Sequence, residues 1–298
     1  MDMHASPPAP AVTLVIGSGS VKCAAAIGVV KALTEAGIGI ERVVGCSAGA
    51  IFGAIVALGH SADEASSAAA RLWTRDLVSR RDTLGLLRVL LPRLLGFEVA
   101  RFGLRDDSLM RARLSEFFGE RRVEDTPVPL HITATDFATG ELVEIDRGPI
   151  VTAIRASLSL PFAFRPVSHD GRLLVDGYLA DPLPVSVAIK HGAHVIVAVG
   201  FESPYQDQVR SVGRYAFQVS SILANNLLKA RFAFHSVVHH AEMIAIVPEF
   251  RQRVRLFDTA QMPYIIGEGE RAAHEQIPYL RELLRADAAA AAVSRTAP

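Results

Sequence analysis

A single α/β domain, a three-layer sandwich with a mainly parallel central sheet flanked by helices, is what this 298-residue chain predicts. Three observations carry that reading. Val12 to Ile16, Ile38 to Val44 and His194 to Val199 are short, largely apolar runs, as strands buried on both faces require. The first two each lead through a small-residue loop into a helical pattern, the β-loop-α unit whose right-handed crossovers make strands parallel. Hydrophobic residues make up 50% of the chain and mean hydropathy is +0.28, enough to cover a sheet on both faces.

The elements follow in order. Residues 1–10 carry Asp2, three prolines and no basic start, so they read as a disordered lead and not as a secretory signal. The domain is expected over residues 11–285, with a frayed alanine-rich tail at 286–298. After the Val12 strand, apolar positions from Ala24 to Ala36 fall at helical spacing, with Gly37 as the cap. Ile38 to Val44 is the next strand, and Ser47 opens a helix reaching about Leu58. Ser61 to Phe118 reads as mostly helical, broken at Pro92 inside a basic, apolar segment from Leu84 to Phe97. A core-packing helix pair with outward arginines accounts for that segment; contact with a membrane or fatty chain is the alternative.

Leu130 to Asp136 and Glu141 to Ile145 flank Thr139-Gly140 as neighbouring strands, and Ile150 to Leu158 forms a short helix ending before Pro161. Val167 to Leu173 is a hairpin around Asp170-Gly171, and Leu173 to Val175 deliver Asp176 at a strand end. A helix from Val185 to His191 capped by Gly192, the His194 strand, a helix from Ser211 to His240, a strand from Met243 to Val247 and a helix from Thr259 to Arg285, broken near Gly267, complete the chain.

Composition excludes several classes. The 31 Lys+Arg are matched by 31 Asp+Glu, so nucleic acid is not the expected partner. Cys23 and Cys46 each lie in a small-residue loop, which rules out a disulfide framework and suits small packing residues. The expected location is cytoplasmic, with a peripheral position at the inner membrane surface and a homo-oligomer both left open. Val43 to Ala62 contains no Asp, Glu, Lys or Arg, is long enough to span a bilayer, and has Gly45, Gly49 and Gly53 at G-x-x-x-G spacing. Its glycines, serines, Cys46 and His60 dilute its hydrophobicity, and it reads as a buried strand and helix.

The chemistry starts at Gly45-Cys46-Ser47-Ala48-Gly49, a G-x-S-x-G at a strand-to-helix junction. Small neighbours let the backbone take strained angles, expose the serine hydroxyl and admit a carbonyl substrate. A serine nucleophile also needs a base and donors for an oxyanion. An α/β-hydrolase would supply an acid and then a histidine, with the serine deeper in the sheet. The histidines after Asp176, namely His191, His194, His235, His239 and His240, sit in no recognisable turn and read as surface or helix-face residues. The other solution is a carboxylate that takes the proton directly. Asp176-Gly177 lies after a buried strand, at the edge where α/β sites gather, and partial desolvation there would strengthen the base. Alone, Asp-Gly is an ordinary turn signal. No cofactor or metal is expected: Lys22 stands where a dinucleotide loop needs its third glycine, and His239-His240 lacks partners at ligand spacing.

Taken together and in this order, the motifs resemble those of the patatin-like phospholipases, lipid acyl hydrolases with a Ser/Asp dyad. The likeness covers roughly Val12 to Val199. It rests on the small-residue loop with Ile27-Gly28-Val29 after it, Gly45 to Ala50, Thr135-Asp136 with Thr139-Gly140-Glu141, Ala156-Ser157 with Pro161 and Pro166, and Asp176-Gly177 followed by Pro182-Leu183-Pro184-Val185. The resemblance implies Ser47 as nucleophile, Asp176 as base, the backbone of Ser18, Gly19 and Ser20 as oxyanion hole, and Lys22, Gly45, Gly49 and Gly177 as supports. It implies hydrolysis of phospholipid, lysophospholipid or related lipid esters through an acyl-enzyme. A soluble carboxylesterase and a catalytically weak lipid- or acyl-binding regulator are the alternatives.

The departures are specific. The family's G-G-G-x-R-G loop is matched by Ser18-Gly19-Ser20-Val21-Lys22-Cys23, and serines are tolerable there where the angles are not left-handed. Lys22 replaces the family's planar arginine fork with a point charge. Tyr178 follows Asp176-Gly177 where the family has Gly or Ala, so its ring either narrows the site or packs half-buried with a bonded hydroxyl.

Overall fold

At the centre of the sheet lies β1 (Ala11–Ile16), with β2 (Gly39–Cys46) and β7 (Val195–Val199) parallel on either side. The parallel sheet continues through β3 (Leu130–Asp136) beyond β2 and β8 (Glu242–Ile246) beyond β7. Beyond β3 the pairing turns antiparallel, with β4 (Leu142–Ile145), β5 (Val167–His169) and β6 (Arg172–Asp176). The path is β5-β6-β3-β2-β1-β7-β8, with β4 paired to β3. The computed structural model describes residues 10–78, 82, 83, 85, 87, 96, 98–202, 208–238, 241–255 and 257–296. Most of Leu84 to Phe97, together with His239 and His240, lies outside the described residues.

Alternation along the strands builds two apolar layers. Val12, Leu14 and Ile16 enter the larger core and Val15 the smaller one, joined there by Val44, Ile196 and Ala198. The larger core packs under α1 (Ala25–Glu35), α2 (Ala48–Ala57), α3 (Ala62–Leu72), α4 (Ser108–Phe118) and α5 (Ile150–Ser157). The smaller core packs under α6 (Val185–Lys190) and Leu228 of α7 (Val212–Val238). The three-layer sandwich expected from the sequence is therefore present. The stretch from Val43 to Ala62 is the end of β2, the Ser47 turn and buried α2. Among the described residues, no helix is long and apolar enough to cross a membrane.

The hairpin between β5 and β6 turns at Asp170 (φ 47°) and Gly171 (φ 75°), a pair of left-handed residues that matches strand twist. Two expectations are corrected. Residues 98–107 are not helical beyond the 3₁₀ turn Val99–Arg101, because Leu104 and Arg105 donate their amides to Phe162 O and Ala163 O instead. The last helix, α8 (Met262–Thr296), runs unbroken through Gly267 and on through much of the alanine-rich end. Tertiary packing explains its continuity: a Cβ on Gly28 of α1 would lie 2.0 Å from Ile266 O, and one on Gly269 would lie 2.0 Å from Ala25 O. The two backbones meet too closely for any side chain, and Lys31 and Glu270 tie the crossing at 2.9 Å.

Candidate active site

The register of β3 brings two strand ends tip to tip. Ile132 pairs with β2 and β4 at once, and Ala134 with β4 and β6 at once, so β2 and β6 occupy the same edge of β3 in succession. Cys46 is opposite Thr133 and Asp176 is opposite Ala134. The residue after Cys46 is Ser47, and its Oγ donates to Asp176 Oδ2 at 2.8 Å.

Ser47 carries φ 55° and ψ −126°, a conformation costly for a residue with a side chain. The surroundings hold it there. Its amide donates to Ser157 Oγ at 2.7 Å, and Ser157 donates on to Thr133 O at 2.7 Å. Gly45 and Gly49 act differently from the sequence expectation: neither has a positive φ. A Cβ on Gly49 would lie 2.4 Å from Ile16 O, and one on Gly45 2.7 Å from Ala50 Cα. The strain sits on the serine itself, and the glycines allow β1, β2 and α2 to close around it.

Asp176 is 2% exposed. Burial pushes its carboxyl up to about 7, against the amide of Tyr178 and the hydroxyl of Ser47, which pull the value down. Its backbone is fixed at both ends, with its amide donating to Ser159 O and its carbonyl accepting from Thr135 Oγ1 at 2.9 Å. Gly177 permits this approach, since a Cβ there would meet Thr133 O at 2.5 Å. Desolvation thus gives a carboxyl near neutrality, the range suited to a general base.

The loop after β1 faces this pair across a cavity of about 170 Å³ lined by Ser18, Gly19 and Ser20 together with Ser47 and Asp176. Chain direction explains the position. After β1 the chain passes to α1 on the larger-core face, whereas after β7 it passes to α7 on the other, so a crevice opens between their carboxyl ends. Gly17 donates to Val199 O and Ser18 to Pro182 O, so the Ser18 amide is already engaged. A Cβ on Gly19 would enter the Phe201 ring, at 2.6 Å. Ser20 has φ 55°, the left-handed region that the sequence reading required these serines to avoid. It opens the 3₁₀ turn Ser20–Ala24 that runs into α1, where N-terminal amides collect partial positive charge. Lys22 does not line the cavity. Its ammonium donates to Glu202 O at 3.1 Å and lies 5.5 Å from the Phe250 ring centroid, bracing the loop from behind.

Trp73, Phe217 and Phe257 line much of the remaining wall, with Trp73 and Phe257 stacked at 5.7 Å. Tyr178 both lines the cavity and is 8% exposed; burial pushes its hydroxyl up to about 12, against a hydrogen bond with Ser220. Among the described residues, no histidine lines the cavity. The arrangement is a half-buried, strained serine that lines the cavity, with a desolvated carboxylate on its hydroxyl, in a largely apolar chamber.

The patatin-like phospholipase family model matches residues 14–189. The chain belongs to this family. An uncharacterized NTE family protein of Mycobacterium tuberculosis is 35% identical over 190 residues, covering 64% of this chain and 49% of that protein. Patatin-like phospholipase domain-containing protein 7 of Rattus norvegicus is 29% identical over 205 residues, 68% of this chain and 14% of the rat protein. The chain thus spans about half or less of the curated relatives it matches. VipD of Legionella pneumophila shares the fold, with a TM-score of 0.51 and 15% identity over 92% of this chain and 67% of that one.

Sequence reasoning on this patatin-like chain missed the outer wall. Trp73, Phe217 and Phe257 are far apart in sequence, and no local pattern marks them. Thr135 and Ser157 had appeared only as pieces of motif. The cysteines have their own explanation: Cys23 Sγ contacts Gly17 O at 3.2 Å, Cys46 Sγ contacts Asp181 O at 3.4 Å, and burial pushes both thiols up. Three metal-capable side chains do come together, contrary to the expectation from spacing: His131, Glu144 and His191. Burial would raise the Glu144 carboxyl, but hydrogen bonds from His131, Lys190 and His191 outweigh it and hold it well below the usual range. Glu144 stands on β4 opposite Thr133, with Lys190 Nζ and His131 Nδ1 each 2.7 Å from its carboxylate, and none of the three metal-capable side chains lines the Ser47 cavity.

Proposed function

We propose that the protein is a serine acyl hydrolase acting on lipid carboxylic esters through a Ser47–Asp176 dyad. The 2.8 Å contact between Ser47 Oγ and the desolvated Asp176 carboxylate carries the reading. Asp176 takes the Ser47 proton as Oγ attacks the ester carbonyl carbon. The oxyanion forms against the amides of Gly19 and Ser20, at the positive end of the turn leading into α1. Collapse breaks the ester bond, and Asp176 returns the proton to the departing alcohol. A water, deprotonated by the same carboxylate, then attacks the acyl-enzyme; the acyl C–Oγ bond breaks, the acid leaves, and Asp176 returns the proton to Ser47 Oγ. Membership of the patatin-like phospholipase family favours phospholipid and lysophospholipid as substrates, and the wall of Trp73, Phe217 and Phe257 suits their acyl chains.

The strained Ser20 in the oxyanion loop favours one second reading, a lipid binder with little turnover. Labelling by a fluorophosphonate probe separates the two. The hydrolase reading expects a covalent adduct on the wild type that is absent from Ser47→Ala. A folded wild type that resists the probe and releases no fatty acid from phospholipid would leave only the binder.

A further inference from the structure

The fold buries a second carboxyl for which the dyad has no use. Asp181 is 1% exposed, and burial pushes its carboxyl up to about 6, against a hydrogen bond from the Leu183 amide, the charge of Arg231 and a hydrogen bond from Ser186. It does not line the cavity, so it does not meet substrate. Both of its oxygen atoms serve its own stretch of chain. Oδ1 accepts from the Leu183 amide at 3.2 Å, and Oδ2 from Ser186 Oγ of α6 at 3.4 Å.

The segment that carries Asp181 touches each part of the candidate site in turn. It leaves the base, Asp176, through the 3₁₀ turn Gly177–Leu179, and Thr135 Oγ1, which donates to Asp176 O, also accepts from the Ala180 amide at 3.2 Å. Asp181 O then accepts from Sγ of Cys46, the residue before the nucleophile, at 3.4 Å. Pro182 O accepts from the Ser18 amide, at the start of the oxyanion loop, at 2.8 Å. Peptide geometry makes the Asp181 side chain the part that aims this last contact. The Pro182 carbonyl and the Leu183 N–H belong to one planar peptide unit and point to opposite sides of it. The proline ring fixes φ, so the unit turns by rotation about ψ of Pro182, which swings carbonyl and N–H together. With Asp181 Oδ1 on the N–H, the carbonyl is directed at Ser18. The approach is close: a Cβ on Gly17 would lie 2.8 Å from Pro182 O, so the loop and the Pro182 unit meet backbone to backbone.

We infer that Asp181 is a positioning residue for the oxyanion hole: it holds the Leu183 amide, the Pro182 carbonyl thereby holds Ser18, and the amides of Gly19 and Ser20 stay where the oxyanion forms. The inference rests on the acyl-hydrolase reading and adds to it a residue that reaches the reaction only through backbone. Burying a carboxyl is unfavourable, and its hydrogen bond to Leu183 is the return on that cost. Because the oxyanion exists only on the way to and from the tetrahedral intermediate, displaced donors lower the rate and leave substrate binding nearly as it was.

The test compares three variants with the wild type. Asp181→Ala removes the acceptor, Asp181→Asn keeps an oxygen in its place, and Ser186→Ala removes only the partner of the other oxygen. The readouts are kcat and KM for a soluble short-chain ester and the rate of fluorophosphonate labelling, each per folded molecule. Asp181→Ala should lower kcat and the labelling rate together by about 10- to 100-fold with KM within about twofold, less than the loss of an oxyanion donor outright, since the donors are displaced and not removed. Asp181→Asn and Ser186→Ala should keep most of the rate. Should Asp181→Ala fail to fold, Pro182→Gly carries the same test, because it leaves the carboxylate in place and frees the peptide unit; the same loss in kcat is expected. A loss confined to stability, with rates per folded molecule at the wild-type level, overturns the inference. So does a Ser186→Ala loss as large as that of Asp181→Ala, which would assign the carboxylate to α6, or an Asn variant as slow as the Ala variant, which would make charge and not aim the cause. A wild type that takes no label sinks the hydrolase reading and the inference with it, whereas a labelled wild type with unaffected variants sinks the inference alone.

Discussion

Replacing Asp176 by Asn should stabilise the protein in alkali while abolishing its activity. In the folded chain burial holds the Asp176 carboxyl up to about 7, whereas an unfolded aspartate titrates near its ordinary value of about 3.9. The sign follows from proton binding. Between those values the folded state holds a proton that the unfolded state has lost, so stability is full below the unfolded value and falls as pH rises, levelling above about 7. Each pH unit in that window costs about 1.4 kcal/mol, so from pH 5 to pH 8 this carboxyl alone removes about 3 kcal/mol. Asparagine keeps the shape and an oxygen for the Tyr178 amide, but has no proton to lose. Urea denaturation of wild type and Asp176→Asn at both pH values measures the difference. The stability lost on going to pH 8 should be smaller in the variant by about 3 kcal/mol, and kcat/KM of the wild type should rise with pH through about 7 and then level. Equal losses in the two proteins, with a wild-type rate already level at pH 5, would refute the desolvated-base argument.

Three further outcomes follow from single contacts. Ser157→Ala strips the Ser47 amide and Thr133 O of their partner, and should cost about 1–3 kcal/mol of stability by denaturation and lower kcat with little change in KM. Gly269→Ala places a methyl 2.0 Å from Ala25 O, so α8 must shift against α1; a loss of about 1–3 kcal/mol in urea is expected, with esterase activity per folded molecule retained. Cys23 and Cys46 should be silent to a thiol reagent in the folded protein at pH 8 and both react after unfolding, since burial keeps each as a protonated thiol.

The parts of this molecule that were legible in its sequence are those where a local pattern is also the physical cause. Largely apolar runs announce β1, β7 and the buried half of β2 from Val43 to Cys46, because strands covered on both faces have no polar side to show. Asp170-Gly171 announces its hairpin because both residues take left-handed angles. The break near Gly267 was wrong for an equally physical reason: a glycine weakens a helix in isolation, but the α1–α8 crossing needs backbone closeness, at Gly28 and Gly269, that outweighs local propensity. The extended stretch around Leu104 escaped because its backbone partners, Phe162 and Ala163, are distant in sequence. The aromatic wall escaped for the same reason.

The candidate site combines two unfavourable features at one point of the sheet, and their proximity is what makes each useful. A serine at φ 55° and ψ −126° resists its own backbone, and a carboxyl that is 2% exposed resists ionisation. Neither is imposed by local sequence alone. The pairing of β3 first with β2 and then with β6 makes them neighbours, and the Ser157 bridge to Thr133 O with the Thr135 contact to Asp176 O locks both strand ends to that one strand. A small displacement of β6 would part Oγ from Oδ2 and admit water, which would return the carboxyl toward its ordinary acidity and weaken it as a base. Positioning and basicity are therefore not separable here: the same burial that brings the oxygen atoms to 2.8 Å is what raises the carboxyl to about 7.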